Sequence, residues 1–436
     1  MDRRLFSAIL LPVVLLGAAI APAFADVAWD GCLNAPKRAC VFDEALRAAQ
    51  KIADGAPRAG ALANLATSES KAGLADAAAA IRQLAMQAAR SVENDSDRED
   101  ALAVVAGAAG QAGAPAEAMQ IAQSVKGAGP RSEALAAAAM AQKKSGLAEE
   151  AIATFAAASV SAQSLGSPMD RFWTLRLIAE VEGSAGFGQQ AQMILASMLR
   201  IAQSEEPGFP RADELMHVSS AELAVGDIDG ALRIARTIEE ADSRAYALGA
   251  VAEALVNAGR LPEAIETAGA LEMGRSRAMA LAAIAEAQAK AGLAKEAAGN
   301  LDDAHRAALA APTPLERAWA MSRVAAALAG AGLAERSAAE FAMARQGAQA
   351  IEAKSSRDLA LSDVSSSLAT AGEAAQATEL ALSIGDAASR AQALATIAVA
   401  QAKAGRASEA LRTTQAIEDA GVRVGALGTI AESLPN

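Results

Sequence analysis

Arginine recurs at intervals of 33 or 40 residues along the chain: Arg58, Arg98, Arg131, Arg171, Arg211, Arg244, Arg277, Arg317, Arg357, Arg390 and Arg423. A glycine stands fifteen residues after each of the first ten, from Gly73 and Gly113 through Gly372 and Gly405, so the register never slips. Self-similarity at periods of about 20–50 residues arises from stacked supersecondary units, each too small to bury a core alone. A repeat architecture is therefore required before any site is considered.

Counting each arginine as position 0, position 4 is almost always Leu (Leu62, Leu102, Leu175, Leu248, Leu394), position 7 is mostly Ile or Val (Ile178, Val251, Ile284, Ile397), and position 8 is Ala or Ser. Positions 4, 7, 8 and 11 share one face of a 3.6-residue helix, which predicts a first helix burying that stripe. Glycine at position 15 stops this helix, because it enters the left-handed conformation without a Cβ penalty. A second helix follows, with Glu or Gln at position 19 and a small residue at position 20. Pro115 and Pro262 sit where proline starts a helix without losing a hydrogen bond. The two periods differ by about two helical turns, so the longer units extend the second helix while keeping its buried face in phase.

The spacings place ten units over residues 58–422, of which 131–276 and 277–422 look like an internal duplication, with Trp173 and Trp319 in equivalent places. Residues 26–57 read as an N-terminal cap, comprising a cysteine loop and an orphan second helix over 41–54. Residues 423–436 read as a capping first helix at the other end, because terminal repeats have an outer face with no neighbour.

Arg3 and Arg4, the apolar residues 5–21 and the triplet Ala23, Phe24, Ala25 form a secretory signal expected to be removed after residue 25. Interrupted by Pro12 and Gly17, the apolar run is short for a membrane span. A periplasmic or secreted location follows. In such a compartment the two cysteines, Cys32 and Cys40, are expected to form a local disulfide. Two thiols do not complete a four-ligand metal site, so no metal is expected.

The net charge of −12 and pI near 4.9, with no basic run, leave out the electrostatic footprint of nucleic-acid binding. Only His217 and His305 are available for acid–base chemistry, on different units, and no phosphate-binding glycine loop occurs. An enzyme is not expected, nor a cofactor. The repeated arginines lie at junctions between units, where they can donate to the last carbonyls of the preceding helix, and they read as scaffold elements.

The pattern A-L-x-x-I-A followed by A-G-x-x-x-E-A resembles the tetratricopeptide repeat over roughly residues 41–436. Position 4 falls at that family's Trp, position 15 at its inter-helix Gly and position 20 at its small residue. The bulky aromatic of the first helix and the closing proline are missing from most units, and the period is 33 or 40 where the family has 34. The resemblance implies an all-α, right-handed superhelix of helix pairs whose concave surface binds proteins or peptides, with no catalytic residues to carry over. In that register position 2 faces the groove with positions 5, 9, 12 and 13. Trp173, Tyr246 and Trp319 all occupy position 2, in a chain with only 3 Trp, 1 Tyr and 8 Phe. Aromatic residues dominate interface hot spots, so these three are the candidate partner contacts. The alternative is that they pack onto the preceding unit. A protein-interaction scaffold is the leading functional expectation; a glycan- or small-ligand-binding solenoid, with the rings as stacking platforms, is the second.

Overall fold

A computed structural model describes residues 29–271 and 274–435; the signal expected over 1–25 lies outside the described residues. Among these there are 23 helices and no strand. After α1 (Trp29–Asn34) and α2 (Arg38–Gln50), first helices alternate with second helices. The first helices are α3 (Gly55–Lys71), α5 (Asp95–Gln111), α7 (Ala128–Lys144), α9 (Pro168–Ser184), α11 (Phe209–Ala224), α13 (Ala241–Asn257), α15 (Arg275–Lys290), α17 (Pro314–Gly330), α19 (Lys354–Thr370), α21 (Ala387–Lys403) and α23 (Ala420–Ser433). The second helices are α4 (Ala75–Arg90), α6 (Pro115–Ser124), α8 (Ala148–Gln163), α10 (Gly188–Ser204), α12 (Ile228–Thr237), α14 (Leu261–Gly269), α16 (Ala294–Leu309), α18 (Ala334–Gln349), α20 (Ala374–Leu382) and α22 (Ala407–Gln415).

The two periods differ in the second helix. It has 16 or 17 residues in the 40-residue units and 9 or 10 in the 33-residue units. All ten glycines at position 15 have φ between 67° and 93°, so each inter-helix turn needs the left-handed backbone that glycine adopts freely. The helices of a unit come closest at positions 8 and 20. Ser219 at position 8 donates to the Ala231 carbonyl at 3.0 Å, and Ser337 at position 20 donates to the Ala325 carbonyl at 2.8 Å. Elsewhere both positions are small, which lets the backbones approach.

Seven of the repeat arginines reach back six residues to the carbonyl where the previous helix has ended. Arg390 donates to Ile384 at 2.8 Å, Arg171 to Leu165 at 2.9 Å, and Arg58, Arg98, Arg244, Arg277 and Arg357 act likewise. The accepting residue is Ile, Val or Leu in all seven, and Ile238, Leu271, Ile351 and Ile384 are buried in the core. Position −6 is Glu205 before Arg211 and Ala311 before Arg317, and neither arginine makes this bond. Arg131 turns instead to Ser161 and Arg423 to Glu44.

The ends of the stack meet. Helix α23 packs against α2 as every first helix packs on its own second helix, and against α3 as every first helix packs on the next. One apolar core joins Val41, Phe42 and Ala45 of α2 and Leu62 and Leu65 of α3 to Val424, Leu427 and Ile430 of α23. Arg423 pairs with Glu44 at 2.9 Å, and Arg38 donates to the carbonyls of Leu434 and Ala72 at 2.5 and 3.3 Å. The expectation of two separate caps is thereby corrected: the half-units complete each other as an eleventh pair. The physical reason is that each buries the apolar face that the other would leave in water, about 25 cal/mol per Å² of apolar area.

First helices touch their neighbours all the way round the resulting ring, whereas consecutive second helices share few contacts, so the first helices form the inner wall. Eleven axes spaced about 8–10 Å apart make a circle of about 100 Å. With helices about 10 Å thick, the opening is on the order of 20 Å across, wide enough for one further helix.

Candidate functional site

Because the first helices form the wall, their solvent-exposed face is the lining of the ring. That face consists of positions 2, 6, 9 and 13, as in Gly60, Asn64, Thr67 and Lys71 of α3 or Trp173, Leu177, Glu180 and Ser184 of α9. Position 5, expected on this face, is largely turned away: Ala63, Ala103, Ala136, Ala282 and Ala395 are buried. Closure of the ring draws neighbouring first helices together, and their small residues at position 5 lie in that contact. A cavity of about 930 Å³ runs along the wall and across the junction of the two ends, lined by Gln392, Thr396, Thr429 and Asn64 among others. The lining therefore continues from α21 through α23 to α3.

Charge along this lining is layered. Position 13 carries Lys71, Lys144, Lys290 and Lys403 and no acidic residue, although the chain as a whole has net charge −12. Position 9, about one turn away, carries Glu180, Glu253, Glu286 and Glu432. Lysine is favoured at a helix C-terminus by the macrodipole, which explains its recurrence at that end of four first helices. The mutual field is felt: burial, with the Lys71 charge adding, lowers the Lys144 amine. Burial also raises the Glu253 carboxyl, against the attraction of Arg323.

The three aromatic residues singled out by sequence lie on the wall in two groups. Trp173 is 38% exposed, edge-on to buried Phe172 at 5.5 Å and to the His217 ring at 4.6 Å. Arg176 stands 5.5 Å from its ring and is tied to Glu180 at 2.8 Å. Burial and Arg176 lower the His217 pKa against the pull of Asp213 and Glu180, and its Nε2 lies 3.8 Å from the Asp213 carboxylate. Exposed Met169 and Phe209 stand two residues before the arginine in the same two units, which extends the apolar character toward one rim.

Tyr246, 49% exposed, and Trp319, half-buried, form the second group with Arg275 between them. The Arg275 guanidinium carbon is 5.7 Å from the Tyr246 centroid and 5.3 Å from that of Trp319. Sequence reasoning found the aromatics from their shared register but missed Arg275, which belongs to the residues between units and repeats nowhere else. Beyond Trp319, buried Ser322 donates to Asp363 at 2.6 Å; burial raises that carboxyl while Arg275 and Arg323 oppose the shift.

Cys32 and Cys40 lie at bonding distance, with Cα atoms 6.1 Å apart, and fasten α1 to α2 beside the junction of the ends. His305 is far from the lining on a second helix, where its Nδ1 meets Glu340 at 2.8 Å. Among the described residues no cluster of His, Cys, Asp and Glu is arranged to hold a metal ion, and no helix is long and apolar enough to cross a membrane.

No known protein-family profile matches the chain, and no curated protein does. Solved structures with similar helix arrangements include Ton1535 from Thermococcus onnurineus NA1, at 16% identity and TM-score 0.30 over 84% of this chain and 99% of that one. A Rap protein complexed with competence and sporulation factor is 14% identical with TM-score 0.30, covering 85% of this chain and 99% of that one. A circular tandem repeat protein is 12% identical with TM-score 0.17, covering 88% and 83%. The chain is an all-α helical repeat protein resembling the tetratricopeptide type, a description carried by its own register and helix order.

Proposed function

We propose that the protein is an exported, non-enzymatic scaffold that holds a polypeptide segment against the inner wall of its ring. The observation that carries this reading is the ring of parallel first helices, whose lining presents Trp173, Tyr246 and Trp319 at one repeat position. An opening on the order of 20 Å suits one helix or an extended chain and is too narrow for a folded domain. Exposed aromatic residues contribute large contact area at low entropy cost, and interface hot spots are enriched in them. Export is supported by the sequence of residues 1–25 and by the paired cysteines.

The test is site-specific photo-crosslinking in the native envelope. A photoreactive residue at Thr396 on the inner wall should give polypeptide adducts, while one at exposed Met193 on a second helix should not. Adducts from Met193 alone would move the binding surface to the outside. If the inner wall yields no peptide and the rings instead bind glycans, with the Trp173→Ala variant losing that binding, the scaffold reading gives way to a sugar-binding one.

A further inference from the structure

We propose that Arg275 is a carboxylate-binding site built into the inner wall. The clamp spans three consecutive units: Tyr246 comes from α13, Arg275 from α15 and Trp319 from α17. Its guanidinium carbon stands 5.7 Å from the Tyr246 ring centroid and 5.3 Å from that of Trp319, within cation–π reach of both. Among the described residues none accepts a hydrogen bond from Arg275 or forms an ion pair with it, and Asp363 meets it only through its field. By contrast, Arg176 is held by Glu180, and Arg323 reaches Glu286 at 3.8 Å.

The edge of a planar guanidinium fork matches two coplanar carboxylate oxygens, and neighbouring rings limit the freedom it loses on binding. A cavity of about 290 Å³ at the rim of the wall is lined by Arg275 together with Asp242, Arg244, Gly274, Ser276 and Glu316. That volume suits an acidic side chain or a chain end and is small for a drug-sized ligand. Two acids, Asp242 and Glu316, line the cavity with two arginines, Arg244 and Arg275, so there is no surplus positive charge for a dianion and a singly charged carboxylate fits better than phosphate. The inference rests on the inner wall being a polypeptide-binding surface, and it adds the chemistry of the segment: a glutamate, an aspartate or a C-terminus faces Arg275.

The experiment reads Trp319 emission in the full-length mature protein, with Trp29→Phe and Trp173→Phe removing the other indoles. The probes are acetyl-diglycine with a free carboxylate, acetyl-glutamate amide, acetyl-diglycine amide and inorganic phosphate. Expected is a saturable change with one or both carboxylates at a Kd on the order of 1 mM, and none with the amide. Whichever carboxylate binds tighter identifies a chain end or a side chain as the natural source. The response should vanish in Arg275→Gln and weaken about tenfold in Arg275→Lys, which keeps the charge but loses the fork, with circular dichroism unchanged in both. An equal response to the amide, retention in Arg275→Gln, or tighter binding of phosphate overturns the assignment. If these arms fail while inner-wall crosslinks persist, the scaffold reading stands without the Arg275 site; if they succeed while crosslinks are absent, the polypeptide reading alone fails.

Discussion

Whether the ring is closed in solution can be tested at one atom. Gly428 on α23 lies against Ser68 on α3, and a Cβ added to it would sit 2.8 Å from the Ser68 Oγ and 3.2 Å from its Cβ. In an open solenoid these residues would be far apart. Gly428→Ala should therefore act in two opposed ways. Replacing a helical glycine by alanine gains about 1 kcal/mol from propensity, while forcing atoms inside normal contact distance costs about 1–3 kcal/mol. The net change is a destabilisation of about 0–2 kcal/mol. Ser68→Gly by itself costs about 0.5 kcal/mol of helix propensity, but it removes both atoms that the added Cβ would meet. The double variant should be more stable than the sum of the two effects, with a coupling of about 1–3 kcal/mol. Hydrogen exchange in α2, α3 and α23 is the suitable assay, because it reports the opening of the junction itself and does not need whole-chain two-state unfolding. Additivity within about 0.5 kcal/mol would show that the two residues do not touch and that the ends stand apart.

Burial raises the Glu69 and Glu182 carboxyls from 4.5 to about 7, with Asp43 adding to Glu69, so the folded state keeps protons that the unfolded chain releases. Their contribution is fully present below pH 4.5 and is lost as pH rises through about 7. The urea midpoint should thus fall between pH 5 and 8, and a Glu69→Gln, Glu182→Gln variant should flatten that slope; an unchanged slope would refute the link. Arg390→Ala removes the donor to the Ile384 carbonyl and should cost about 1–2 kcal/mol, seen as faster exchange where α20 meets α21, whereas Arg317→Ala, with no such bond, should cost less. Trp173→Ala and Tyr246→Ala should each lower stability by under about 1.5 kcal/mol but weaken capture of the crosslinked partner by about 2 kcal/mol; large unfolding with intact capture would identify the rings as packing residues. Intact mass of the exported protein should show a chain beginning at Asp26 with two hydrogens missing from Cys32 and Cys40, and a full-length species with two alkylatable thiols would contradict both assignments.

The helix pairs, their turns and the length of each unit were legible in the sequence because each depends on contacts within about 40 residues. Glycine at position 15 stops the helix wherever it occurs, and the buried stripe at positions 4, 7 and 8 follows from helical periodicity alone. Position 5 was misplaced for a related reason. Its side of the helix is exposed in an isolated pair and becomes buried only when the next first helix closes on it.

Register also identified Trp173, Tyr246 and Trp319, because a repeated position is a local property. Arg275 was invisible, since its meaning depends on two rings brought in by the units on either side. The ends show the division most clearly. From residues alone, a lone second helix at the start and a lone first helix at the finish read as two caps. Only the accumulated curvature of eleven units, each turning about 33° if the ring is even, brings Phe42 and Leu62 to Leu427 and Ile430. That curvature is set by how closely alanine and glycine let neighbouring inner helices approach, summed around the whole molecule, and no local stretch of sequence contains the sum.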